Sequence, residues 1–227
     1  MAVLEIKDLL KAFRTPDGDE HTVIDVPAFS VNDGEQLALA GGSGSGKTTL
    51  LNLIAGILSP DRGSIRVAGG EMNGASEAAR DRLRAAHIGY VFQTFNLLQG
   101  YTALENVELG MMFGRGVDKP FAEHLLDRVG LKDRMRYRPR QLSVGQQQRV
   151  AVARAMANHP KLVLADEPTG NLDVAMAAQA MALIRSLCKE NGAALLLVSH
   201  DPNMLGQFER VQQLAAINKA AAQAVTR

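Results

Sequence analysis

Three stretches of this 227-residue chain carry residue types that do chemistry at spacings that chemistry needs. The first is Gly41-Gly42-Ser43-Gly44-Ser45-Gly46-Lys47-Thr48-Thr49, which fits G-x-x-x-x-G-K-S/T. Glycines let the backbone curl until successive N–H groups face inward, and a helix N-terminus behind them adds partial positive charge toward an anion. Lys47 then reaches the β- and γ-phosphates of a nucleoside triphosphate. The Thr48 hydroxyl is placed to ligate Mg²⁺, an ion that prefers oxygen donors and substrate phosphates to an all-protein cage. Thr49 packs or caps the start of the helix.

The second stretch, Leu162-Val163-Leu164-Ala165-Asp166-Glu167, ends an apolar run on two adjacent carboxylates that point in different directions. Asp166 is placed to hold Mg²⁺ through its water, and Glu167 to orient and deprotonate an attacking water. A positioned general base contributes about 10² to 10⁴ in rate, while the metal and Lys47 neutralise charge on the transferred phosphoryl group. The third stretch, Leu142-Ser143-Val144-Gly145-Gln146, opens a helical run that continues without a breaker toward His159-Pro160. Two anion-binding helix ends far apart in one sequence imply that the second meets a phosphate in another subunit.

The elements that must position these residues are legible around them. Leu37 to Ala40 reads as a strand and Leu50 to Ala55 as a helix, on either side of the glycine-rich loop. Residues 3 to 7 read as a strand, Thr15 to Asp19 as a turn, and Thr22 to Val26 as a second strand, with another turn at Asn32-Asp33-Gly34. Ser64 to Ala68 and His87 to Phe92 are strand-like, separated by a charged helix or turn over Glu77 to Ala86. From Gln93 to about Gln141 the pattern is helical, with a capping box at Thr102 and Glu105 and a Pro120 start and Gly130 stop. Arg134, Arg136, Arg138 and Arg140 then alternate through a loop read as solvated, with local carboxylate partners. Leu162 to Ala165 and Ala193 to Ser199 are continuous apolar runs of the kind expected of buried parallel strands, joined by a helix with Met176, Ala180, Leu183, Ile184 and Leu187 on one face. The expected fold is α/β, a largely parallel sheet with ligands at the strand carboxyl ends. A β-rich opening section and an inserted helical subdomain accompany it, and Ala220 to Ala224 reads as a frayed helical tail.

Composition narrows the function. With 25 basic and 24 acidic residues the net charge is +1, so no electrostatic reason exists to expect nucleic acid as the main partner. The lone cysteine, Cys188, reads as a small buried hydrophobe in a reduced compartment. The N-terminus has no signal-peptide pattern, and no run approaches the roughly 18 apolar residues of a membrane span.

Taken jointly and in order, these motifs resemble the nucleotide-binding subunits of ABC transporters over nearly the whole length. Residues 41 to 49 resemble the Walker A loop, Gln93 the Q-loop glutamine, Leu142 to Gln146 the signature, Leu162 to Glu167 the Walker B strand, Asn171-Leu172-Asp173 the D-loop, and Ser199-His200-Asp201 the switch histidine. Phe13 falls where the family has an aromatic that stacks on adenine. The resemblance implies a P-loop NTPase of the ABC ATPase type, with ATP and Mg²⁺ as ligands. Its single domain would have a core over residues 1–92 and about 155–219, a helical and signature part over about 93–154, and a tail over 220–227. It implies two subunits, copies or paralogues, closing head to tail. Ser143, Val144, Gly145 and Gln146 would face the partner's nucleotide, with Asp173 at the seam and His200 on the γ-phosphate. Gln93 would couple metal and water to a groove for a membrane permease subunit, keeping the protein on the cytoplasmic face of a membrane.

Phe95-Asn96-Leu97-Leu98 and Ala165 to Asp173 resemble the subgroup of lipoprotein-releasing and macrolide-export ATPases. Two positions depart from the family pattern. Val144 stands where the signature has glycine, and the Asp-Gly turn expected after Val211 to Leu214 is absent, with too little chain after it for a regulatory domain. A nucleotide-dependent clamp on nucleic acid fits less well, given the near-neutral charge and the lack of a coiled-coil insertion. A binding-only regulatory module fits less well too, because Lys47, Asp166, Glu167 and His200 are all retained.

Overall fold

The computed structural model describes residues 1–74 and 76–224. The chain opens with two long strands, β1 (Ala2–Arg14) and β2 (Glu20–Asn32), which pair antiparallel; β4 (Arg62–Val67) and β5 (Gly70–Glu71) extend this sheet in the order β2-β1-β4-β5. Both opening strands run well past the residues 3–7 and 22–26 expected from side-chain alternation. Main-chain pairing carries them on across irregularities between Ala2 and Leu4 and between Lys11 and Ala12, where the apolar pattern lapses.

The second sheet is wholly parallel. β3 (Gln36–Ala40), β6 (Ile88–Val91), β7 (Leu162–Asp166), β8 (Ala194–Ser199) and β9 (Arg210–Gln213) lie in the order β6-β7-β8-β3-β9. Every residue of β7 and β8 is buried, as a parallel strand covered on both faces requires. Alternation of side chains splits these strands between two cores. Leu195 and Leu197 join one that includes Val107, Leu125 and Val150, whereas Leu196 and Val198 join another with Leu4, Ile24, Leu50 and Leu53. Each fully buried leucine or isoleucine contributes roughly 1.5–3 kcal/mol.

Helices cover both faces. α1 (Lys47–Ile54) follows β3, and α2 (Glu77–His87) is a helix capped by Ser76. α3 (Ala103–Met111) starts on the expected capping box, with Thr102 and Glu105 bonded reciprocally; α4 (Lys119–Arg128) starts on Asp118. α5 (Val144–Met156) and α6 (Val174–Glu190) complete the layer that carries the helical core. In the arginine-rich loop the partner of Arg134 is Tyr137 rather than a carboxylate, hydrogen-bonded at 2.5 Å with the guanidinium over the ring. Cys188 is fully buried, and burial pushes its thiol up to about 12, which leaves it inert.

After α7 (Pro202–Leu205) and β9 come two short helices, α8 (Leu214–Ile217) and α9 (Lys219–Ala224). The expected frayed tail is instead docked: Ala221 is buried, because α8 and α9 pack against β2. Residues 225–227 of that expected tail lie outside the described residues. No helix among the described residues is long and apolar enough to cross a membrane.

Candidate active site

Parallel register brings the candidate residues to one edge. Ala40 lies beside Ser199 and Asp166 beside Val198, so β3, β7 and β8 end at one level. The Gly41 N–H donates to the Ser199 carbonyl at 3.3 Å, and the Glu167 N–H to the Val198 carbonyl at 3.1 Å. Three segments far apart in sequence therefore emerge together: the glycine-rich loop, Asp166-Glu167, and Ser199-His200.

Gly46 caps α1 in a left-handed conformation with φ of 94°, and a Cβ there would sit 3.1 Å from the Val23 carbonyl oxygen. Only glycine meets both conditions. Gly46 holds the cap position with no side-chain cap bond, so Thr49 does not cap the helix; it lies in the first turn and faces the cleft. Lys47 is almost fully buried. Its Nζ donates to the Gly41 and Gly42 carbonyls at 2.7 and 2.8 Å and lies 3.1 Å from Glu167 Oε1. The other Glu167 oxygen is 2.5 Å from Nδ1 of His200, whose side chain is 65% exposed and open to a ligand.

Glu167 itself has φ of 41°, a left-handed backbone that costs a non-glycine residue on the order of 1–2 kcal/mol. Its own N–H bond to Val198, and its carbonyl accepting from Gly170 at 3.1 Å, hold it there. The reward is direction: Asp166 turns toward Thr48 and Glu167 toward Lys47 and His200. Burial raises the Asp166 carboxyl, the Thr48 hydroxyl opposes that by hydrogen bonding to it, and the Glu167 charge adds to the rise; the net is upward. Asp166 Oδ1 is buried with no hydrogen-bond partner among the described residues.

Ser43, Gly44, Gly46, Lys47, Thr48, Thr49, Gln93, Glu167 and His200 line a cleft of about 370 Å³ together with Val23. Gln93 is tied in place from behind, its carbonyl accepting from the Asn171 side chain at 2.9 Å. Nothing in the sequence singles out Val23, a strand valine among many. Phe13 is not among the lining residues; it is a half-exposed ring at the end of β1, opposite His21 and 5.5 Å from the Lys11 amine.

A second cleft, of about 270 Å³, shares no residue with the first and is lined by Ser143, Gly145, Gln146, Leu172 and Met176 among others. Here Ser143 caps α5: its hydroxyl accepts from the Gln146 N–H at 3.3 Å, and the Gln146 side chain accepts from the Ser143 N–H at 3.0 Å. Val144 points outward, 46% exposed. Asp173 caps α6, accepting from the Met176 N–H at 2.9 Å.

In the first cleft a buried amine, the Glu167 carboxylate and an imidazole surround space lined by backbone and hydroxyl groups, and Asp166 lies buried behind Thr48 without lining the cleft itself. That set can hold a polyphosphate and activate a water. The unpartnered Asp166 oxygen and the Thr48 hydroxyl are hard donors that suit Mg²⁺.

Residues 24–170 match the family model described as ABC transporter. The chain belongs to the ABC transporter family. It resembles the lipoprotein-releasing system ATP-binding protein LolD of Pseudomonas fluorescens, at 42% identity over 94% of this chain and 95% of that protein. LolD of Anaeromyxobacter dehalogenans is 48% identical over 82% and 80% of the two chains. The macrolide export ATP-binding/permease protein MacB of Photorhabdus laumondii is 40% identical over 94% of this chain but only 33% of its own length. Among solved structures, the dimeric post-hydrolysis state of an ATP-binding cassette bound to ADP and Pi superposes with a TM-score of 0.85 at 33% identity, covering 96% of this chain and 95% of the other. Within the family this ABC chain groups with the lipoprotein-releasing and macrolide-export ATP-binding proteins, and its two sheets and flanking helices are those of the ABC ATPase fold.

Proposed function

We propose that this chain is an ATP-hydrolysing subunit that works as one of a head-to-tail pair and drives a membrane partner. The observation that carries the reading is the convergence of Lys47, Glu167 and His200 at the mouth of one cleft. Lys47 exchanges its glycine carbonyls and Glu167 for the β- and γ-phosphate oxygens of ATP. Glu167, released from Lys47, accepts a proton from the attacking water, and His200 bonds the γ-phosphate from the exposed side. Phe13 contacts the adenine from the rim. Thr48, Asp166 and Gln93 would hold Mg²⁺, which supplies charge neutralisation on the transferred phosphoryl group. Among the described residues no three His, Cys, Asp or Glu gather into a cage, so such an ion would take its remaining ligands from phosphate and water.

The separation of the two clefts supports a second subunit, copy or paralogue. Ser143, Val144, Gly145 and Gln146 form the N-terminal end of α5, away from the phosphate cleft of their own chain, and an anion from a partner would complete them. Dimeric cassettes among the solved structures support the same arrangement. Asp173 lies at that seam beside Met176. In this reading residues 1–92 and about 155–219 form the nucleotide-binding core, and 93–154 the helical part that carries the signature.

The membrane partner has a candidate seat. An apolar groove of about 400 Å³, lined by Ile57, Phe92, Leu109 and the strongly exposed Phe113, begins one residue before Gln93. A cytoplasmic helix of a permease docked there would act on Gln93 through its chain neighbour Phe92 and hold the chain on the cytoplasmic face. LolD and MacB, by name, serve lipoprotein release and macrolide export, and export or envelope work of that kind is the cargo class we assign. Steady-state ATPase of the purified chain against its own concentration tests the reading. Specific activity should rise with concentration, require Mg²⁺, and vanish in Glu167→Gln. Activity independent of concentration would sink the paired-site mechanism.

A further inference from the structure

The carboxyl-terminal segment touches the walls of the nucleotide cleft from behind at two points. α8 begins at Leu214, fully buried, whose Cβ lies 3.4 Å from the place a Cβ on Gly41 would occupy. It is followed by Asn218, a fully buried polar residue. The Asn218 carboxamide donates from Nδ2 to the Val23 carbonyl at 2.9 Å, and its Oδ1 accepts from the Asp25 N–H at 2.7 Å and the Ala220 N–H at 3.3 Å.

β2 is the edge strand of its sheet, paired only with β1. The Val23 carbonyl and the Asp25 N–H are bonded to Asn218 rather than to β1, and leaving such groups unpaired at a covered edge is costly. One carboxamide satisfies both, as the peptide of a neighbouring strand would. The stretch held in this way is the one beneath the phosphate loop: the Val23 carbonyl oxygen and Cγ1 lie 3.1 and 3.2 Å from the place of a Gly46 Cβ, and Val23 lines the cleft.

We propose that Asn218 is a positioning residue for the nucleotide, fixing Val23 and Asp25 so that Gly46 closes against a rigid wall, with Leu214 backing Gly41 at the other end of the loop. The inference rests on the reading of this cleft as the ATP site. Its consequence is specific. The proposed base, Glu167, and His200 follow the ends of β7 and β8 and make no contact with Asn218, and the Lys47 amine is held by the Gly41 and Gly42 carbonyls and Glu167 rather than by β2. Loss of the carboxamide therefore weakens ATP binding without altering the chemical step, whereas a mere tether for the tail would lower stability and leave affinity alone.

Asn218→Asp keeps size and acceptor but sets a carboxylate oxygen against the Val23 carbonyl; Asn218→Ala removes all three side-chain bonds, including the two to β2. Leu126→Ala, buried in the helical core, serves as a destabilised control. Equilibrium ATP binding, steady-state kinetics and melting temperature are measured for each. Both Asn218 variants should raise Kd and KM about fivefold or more with kcat within about twofold, while Leu126→Ala lowers the melting temperature with KM unchanged. An unchanged KM in Asn218→Asp, or an equal rise in Leu126→Ala, overturns the inference and leaves Asn218 a structural tether; should Asn218→Ala fail to fold, Asn218→Asp decides. Failure of the wild-type chain to bind ATP at all overturns the ATP reading, and this one with it.

Discussion

Glu167 is shared between an amine at 3.1 Å and an imidazole at 2.5 Å, so in the free chain its two oxygens are both engaged. Replacing it by glutamine keeps the shape and removes the base. Glu167→Gln should bind ATP, lose at least about 10²-fold in turnover and hold the dimer longer, seen by single-turnover kinetics and gel filtration with ATP. Asp166 behaves oppositely to a stabilising carboxylate. Because burial, reinforced by Glu167 and only partly offset by Thr48, raises its folded value above the ordinary 3.8, its stabilising share is complete below that value and is lost as pH rises through the raised one. Asp166→Asn should therefore melt higher than wild type without nucleotide, by a margin that widens from acid to neutral pH, yet gain less from Mg-ATP. Val144, exposed beside the Ser143 cap, should be tolerated: Val144→Gly should change ATPase by less than about tenfold, or roughly 1.4 kcal/mol of barrier. A larger rise would mean that the valine impairs the signature.

At the scale of elements, the helix ends carry two tasks at once. The Ser143 hydroxyl caps α5 and is also the group proposed to meet a partner's phosphate. The two roles separate by substitution. Ser143→Ala should cost about 1 kcal/mol in chemical denaturation and lose turnover, whereas Ser143→Asp caps as well as serine but sets a carboxylate against the phosphates. Its stability should stay near wild type while activity disappears; retained activity would remove Ser143 from the site. Capping boxes, the glycine-rich loop and the apolar strands were legible in the sequence because each is a local pattern of a few residues. Strand length was not, since β1 and β2 persist on each other's main-chain hydrogen bonds across Asp8 and Lys11, where no side-chain period remains.

At the scale of the whole molecule, the signature cleft and the apolar groove, in which Phe113 is 78% exposed, are the faces proposed for partners. Phe113→Asp should leave ATPase of the isolated chain within about twofold and abolish co-purification with a membrane partner, because a charge in an apolar docking seat is left unpaired. Should co-purification survive, the groove is not the seat.

The sequence by itself determined the phosphate loop, the carboxylate pair, the signature helix and the parallel α/β class, because these are written in contiguous residues whose backbone and side-chain preferences act locally. It also determined the family, through the order in which those motifs follow one another. Only the tertiary structure decided which groups meet. The pairing of Lys47 with Glu167 depends on the registers of β3 and β8 and of β7 and β8, and the docked tail on contacts with β2. Asn218 and Val23 stand 195 positions apart, and each is unremarkable in its own neighbourhood. A hydrogen bond between such residues has no trace in local pattern, since it forms only when the packing of both sheets has brought the edge of one strand to the end of the chain.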